Sequence, residues 1–153
     1  MAKKFPLQPL VHLSQQQNEA ATRKFGLLNQ QVQAAQAKLE TLLQYRKDYQ
    51  LRFQQSVQIG MEQSELHNFQ SFMQRLDEAI AQQRVIKEQA EASLQVGRME
   101  LKEAQRKMKS FDTLAQRHVE NERKIEAKIE QRQQDEHSGR IAAIRAAEAQ
   151  NEN

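Results

Sequence analysis

From Ala21 onward the apolar positions advance by alternating steps of four and three: Ala21, Phe25, Leu28, Val32, Ala35, Leu39, Leu42, Arg46, Tyr49, Phe53, Ser56. This is a heptad seam, with Phe25, Val32, Leu39 and Phe53 at a, and Leu28, Ala35, Leu42 and Tyr49 at d; Arg46 is its charged interruption. Over about 58–65 the pattern stops. A second seam of the same spacing then runs from Leu66, Phe69, Met73, Leu76 and Ile80 through Gln83, Ala90, Leu94 and Gly97 to Met108, Phe111 and Ala115. Past Ala115 it degrades to His118 and Glu122 before Ile125 and Ile129 resume it. The spacing predicts a first helix over about 9–57, opened by Pro9, which suits a first turn because its missing N–H is unneeded there. A turn follows over about 58–65, with Gly60 free to take a positive φ and Ser64 as a candidate N-cap. The second helix is predicted over about 66–137, with Gly139 as its end and 138–153 as a flexible or short helical tail.

The two seams mirror each other about Met61, so that facing residues have numbers summing to 122. Phe53 then faces Phe69, Tyr49 faces Met73, Leu42 faces Ile80 and Leu39 faces Gln83. Continued outward, the mirror sets Val32 against Ala90 and Phe25 against Gly97, large against small as knobs-into-holes packing requires. The fold class is all-α: one domain, a two-helix antiparallel coiled-coil hairpin ~75 Å long from ~50 residues per arm at 1.5 Å rise. The second arm outlasts the first, so Val119–Glu136 is expected to overhang as a single charged helix. Such a helix is marginal alone in water, so it frays or a partner holds it.

Composition supports a thin core rather than a compact one. Hydrophobic residues are 38%, aromatics 5%, mean hydropathy is −0.90, and four Gly with two Pro are too few to punctuate a many-element fold. With no cysteine, disulfides and thiolate metal sites are excluded, which suits a reducing compartment. No apolar run approaches the ~20 residues that span a bilayer, and the start, MAKKFPLQPLVHL, reads as a cytosolic N-terminus. Net charge is only +3, unevenly spread: residues 1–52 carry 8 basic and 3 acidic side chains, and residues 53–97 carry 3 and 6. The open end is therefore basic and the turn end acidic, short of a nucleic-acid footprint. KEAQRKMK at Lys102–Lys109 is basic, but Met108 belongs to the seam and Glu103 dilutes it.

Catalytic chemistry finds no support. His12, His67, His118 and His137 are scattered without ligand spacing, and no nucleophile motif or phosphate loop is present. No metal, cofactor or catalytic residue is expected. The anomaly is a second apolar line beside the seam: Phe72, Ala79 and Ile86 recur every seven residues at g of the second helix, and Tyr45 occupies g of the first. In an antiparallel pair these share one flank, with Leu42, Tyr49 and Leu76 behind. Either they fold over the seam to widen a thin core, or they are anchors for a partner.

The blocks LLQYRKDYQLRF and FQSFMQRLDEAIAQQR, set across a short turn, with the seam beginning near residue 20 and the charged C-terminal arm, resemble the flagellar FliJ family. The resemblance covers roughly residues 10–137. It implies a cytoplasmic component of the flagellar type III export apparatus, peripheral on the cytoplasmic face of the inner membrane at the flagellar base and touching the membrane only indirectly. It further implies a fold similar to the γ-subunit stalk of rotary ATPases, whose open end enters the hexameric export ATPase. The other implied partners are the cytoplasmic domain of the export gate and the export chaperones; no nucleic acid is among them. Carried over by position, the gate-contact residues are Leu42, Tyr45, Tyr49, Phe72, Leu76 and Ala79, and the ATPase-contact residues are Leu13, Arg23, Arg117, Arg123 and Lys124. Gln83 stands where some members have His and receives no role. The alternatives are a general coiled-coil scaffold or adaptor, and a chaperone that binds unfolded export substrates.

Overall fold

A computed structural model describes residues 3–152. The chain is all-α: helix α1 spans Gln8–Ile59 and helix α2 spans Gln63–Asn151. Packing divides it into two compact units. One is Gln17–Gln105, and the other joins the residues up to Gln16 with those from Arg106 on.

In the Gln17–Gln105 unit the chain reverses over Gly60, Met61 and Glu62, a turn much shorter than the 58–65 region where the periodicity fails. Gly60 carries φ 105°, a conformation that side-chain-bearing residues avoid, and its N–H donates to the carbonyl oxygens of Ser56 at 3.1 Å and Val57 at 3.3 Å. The first bond of α2 runs from the Leu66 N–H to the Glu62 carbonyl at 3.0 Å, so the helix begins before the expected Ser64 cap. The arms then pack antiparallel. Leu39, Leu76 and Ile80 form the buried centre, with Leu42, Phe72 and Met73 against them. The predicted facing of Phe53 and Phe69 holds, with rings stacked at 3.9 Å between centroids.

Two polar residues of the seams are accommodated differently. Arg46 swings outward, its Nε donating to Asp77 Oδ1 at 2.6 Å. That hydrogen bond, and then the carboxylate's charge, raises the guanidinium pKa above its ordinary value. Gln83 stays inside, 3% exposed, and its side-chain amide donates to the Ala35 carbonyl at 3.0 Å, which answers the requirement that a buried polar group be paired. Further along, the mirror set Phe25 on Gly97. The structure instead puts Leu28 there: a Cβ added to Gly97 would lie 2.5 Å from Leu28 Cδ1. Phe25 has the Arg98 guanidinium 5.6 Å from its ring centroid, a cation–π distance.

In the second unit, α1 starts with its carbonyl at Leu7 accepting from Val11 at 3.1 Å, and Pro9 lies in the first turn as its lack of an N–H allows. Val11 and Ser14 are buried, and the Ser14 hydroxyl donates back to the Val11 carbonyl at 2.7 Å. The residues before the helix lie on α2. The Phe5 ring sits 5.2 Å from that of His118, His118 Nε2 is 2.9 Å from the Lys3 carbonyl, and the Lys3 N–H donates to Glu122 Oε2 at 3.4 Å. The degraded part of the second seam is thus covered as far as Glu122, four residues into the stretch expected to be bare. From Arg123 on, every described residue is exposed, Ile125 and Ile129 at 50% each. Nor does α2 end near Gly139. A lone glycine costs a helix only about 1 kcal/mol, and α2 continues to Asn151.

Candidate interaction surface

Heptad position decides which side chains reach the surface. On the g flank of the Gln17–Gln105 unit, residues of the two arms pair with numbers summing to 117: Gln31 with Ile86, Lys38 with Ala79, Tyr45 with Phe72, and Arg52 with Glu65. The Tyr45–Phe72 pair makes direct contact. Tyr45, 57% exposed, has its ring centroid 6.2 Å from that of half-buried Phe72, at 48°. Behind them Tyr49 lies 4.3 Å from Phe72 and stacks on Phe69 at 4.9 Å and 2°. With Phe53 on Phe69, five rings form a ladder leading from the exposed Tyr45 toward the turn. Such offset and tilted pairs add about 0.5–1.5 kcal/mol each beyond burial, so the ladder is stiff as well as apolar.

Of the six gate-contact residues expected from the sequence, the structure brings all into this one region, at different depths. Tyr45 is exposed; Leu42, Tyr49, Phe72 and Ala79 are half-buried; Leu76 is buried at 7% and supports the surface from below. Shallow grooves flank the ring ladder. One, of about 480 Å³, is lined by Lys38, Ala35, Gln83 and Ile86 among others; a second, of about 300 Å³, lies between Arg52 and Glu65 over Phe53 and Phe69. The Arg52–Glu65 pair was missed in the sequence, although the heptad step from Tyr45 and Phe72 points straight to it.

The five expected ATPase-contact residues are not gathered in this way. Leu13 is 47% exposed, and Arg117, Arg123 and Lys124 are exposed in the same unit, while Arg23 is exposed in the other. Arg117 shares a groove of about 450 Å³ with Arg106, Lys109, Ser110, Thr113 and Leu114. The hydroxyls there are turned onto their own helix, Ser110 to the Arg106 carbonyl at 3.0 Å and Thr113 to that of Lys109 at 2.8 Å. Among the described residues, no group of three or more His, Asp or Glu is placed to hold a metal ion, and no helix is long and apolar enough to cross a membrane.

An all-α hairpin whose arms pack antiparallel along two heptad seams belongs to the class of coiled-coil proteins. The family profile for the flagellar FliJ protein matches residues 3–147, and the chain belongs to that family. Two curated relatives, each named as a flagellar FliJ protein, come from Escherichia coli (strain K12) and Salmonella typhi. Each is 26% identical over 142 residues, covering 93% of this chain and 97% of the relative. No solved structure matches the chain.

Proposed function

We propose that this chain is a non-catalytic component of the flagellar export apparatus, a coupling rod that links the export ATPase ring to the export gate and escorts export chaperones. Family membership supports the apparatus. The observation that carries the coupling reading is the Tyr45–Phe72 pair: an exposed aromatic held on a stiff ladder is the kind of anchor that dominates protein interfaces. The gate's cytoplasmic domain is its proposed occupant, through Tyr45, Phe72 and Ala79, with Leu42, Tyr49 and Leu76 fixing their positions. The ATPase is proposed to take the other unit, where Arg117, Arg123 and Lys124 lie beside or on the bare part of α2, with Leu13 on α1 and Arg23 contributing from the first arm. A bare helix gains order when a partner binds it, which suits a stalk received by a ring.

Equilibrium binding to the purified gate domain tests the flank. Tyr45→Ala with Phe72→Ala should weaken binding at least tenfold while helicity stays normal. Unchanged affinity and motility in that variant would refute the flank assignment. The scaffold alternative is separated by sedimentation, since a hairpin whose seam is internally satisfied runs as a monomer.

A further inference from the structure

The g flank does not end at the aromatic pair. One heptad toward the turn stand Arg52 and Glu65, both exposed, in the arrangement that Tyr45 and Phe72 occupy. Opposite charges at such positions ordinarily close into an interhelical ion pair. These do not: neither side chain has a hydrogen bond or ion pair with another described residue. Between them lies the groove of about 300 Å³, floored by the stacked Phe53 and Phe69 and rimmed by Ser56, Met61 and Asn68. Its volume is at the lower limit for ligand pockets, room for one side chain rather than a small molecule.

We propose that this groove is a second subsite of the same docking flank, taking one apolar side chain of the partner segment, with an acidic residue of that segment meeting Arg52 and a basic one meeting Glu65. The choice of a polypeptide follows from the charges. Glu65 repels a nucleic-acid backbone or an anionic lipid surface at the point where Arg52 would attract it, whereas a segment with both signs satisfies both walls. Leaving the two charges unpaired in the free protein also spares the partner the cost of breaking an ion pair, and opposed walls set the direction in which the segment lies. The proposal rests on the reading of the Tyr45–Phe72 flank as a docking face.

The test uses the full chain and the purified cytoplasmic domain of the export gate, with affinity measured for Arg52→Glu, Glu65→Arg, the double charge swap, Asn68→Trp, which fills the groove, and Tyr45→Ala. Circular dichroism confirms the fold, which exposed positions leave intact. Each single charge reversal and Asn68→Trp should weaken binding at least tenfold. The double swap should stay weak, because it presents each wall with the wrong sign. If Tyr45→Ala weakens binding while the charge reversals and Asn68→Trp leave it within twofold, the flank stands and the subsite is refuted. If Tyr45→Ala has no effect while the groove variants lose binding, the subsite stands and the aromatic anchor is refuted. No binding by the unaltered chain overturns both. Full recovery in the double swap also overturns the subsite, since it would show a pair that matters only to the hairpin itself.

Discussion

Gly97→Ala puts the packing of the arms to a quantitative test. At an unencumbered helical position, Gly→Ala stabilises by roughly 0.5–1 kcal/mol by restricting the unfolded chain. Gly26 is such a position: it lies within α1 with nothing within 4 Å of an added Cβ. Gly97 is also helical, but its added methyl would lie 2.5 Å from Leu28 Cδ1, closer than real carbon contacts allow. Leu28 must swing away, and its Cγ at 3.9 Å shows that the end of the side chain, not the backbone, has to give. Overpacking of this sort costs about 1–3 kcal/mol. Gly26→Ala should therefore raise stability by about 1 kcal/mol, while Gly97→Ala is neutral or destabilising by up to about 2 kcal/mol. Thermal unfolding followed by circular dichroism reads both, each kcal/mol moving the melting midpoint by about 2–4 °C in a chain of this size. Adding Leu28→Ala completes a double-mutant cycle: the methyl at 97 then enters space that Leu28 has left, so the two changes should couple favourably by about 1 kcal/mol or more. Equal stabilisation by Gly26→Ala and Gly97→Ala, with no coupling to Leu28, would refute the placing of Leu28 over Gly97.

Leu76→Ala, at the buried centre beneath Phe72, should cost about 2–3 kcal/mol, the low end for such truncations because a two-helix core is thin; urea unfolding checks it. It should also loosen the Tyr45 ring without removing any exposed contact, visible as a smaller near-ultraviolet signal. Every described residue from 123 onward is exposed, so on removing that stretch the unfolding midpoint should stay within about 2 °C, while pull-down of the export ATPase falls under the proposed division of partners.

Helix type, the two seams and the reversal near Met61 were legible in the sequence because each rests on a period repeated many times. The Phe53–Phe69 pairing followed from it. What escaped were single-residue balances. One glycine at 139 is too weak a signal to end a helix that already has many turns of hydrogen bonds. Ser64 is a good cap by type, but a positive φ at Gly60 completes the reversal sooner. The placement of Leu28 rather than Phe25 over Gly97 turns on which side chain leans which way, and the mirror sums do not carry that. Gln83 was seen on the seam, yet its partner is a backbone carbonyl, and no sequence pattern marks one carbonyl among many. The six flank residues came from spacing and family resemblance together. Their ordering by depth, with Tyr45 outermost and Leu76 innermost, is set by how the two arms pack, which spacing alone does not fix.

The three-residue reversal at Gly60–Glu62 also bears on the order in which the molecule assembles. Phe53 and Phe69 meet across a short loop, whereas the Lys3–Glu122 contact closes a separation of 119 residues. Loop-closure entropy rises with that separation, so pairing is cheapest to start at the turn and advances outward, each layer shortening the effective loop for the next. Assembly of this kind is a zipper. Its last teeth, Phe5 on His118 and Lys3 on Glu122, close latest and open first, and a nascent chain can begin zipping as soon as the first turns of the second arm have left the ribosome.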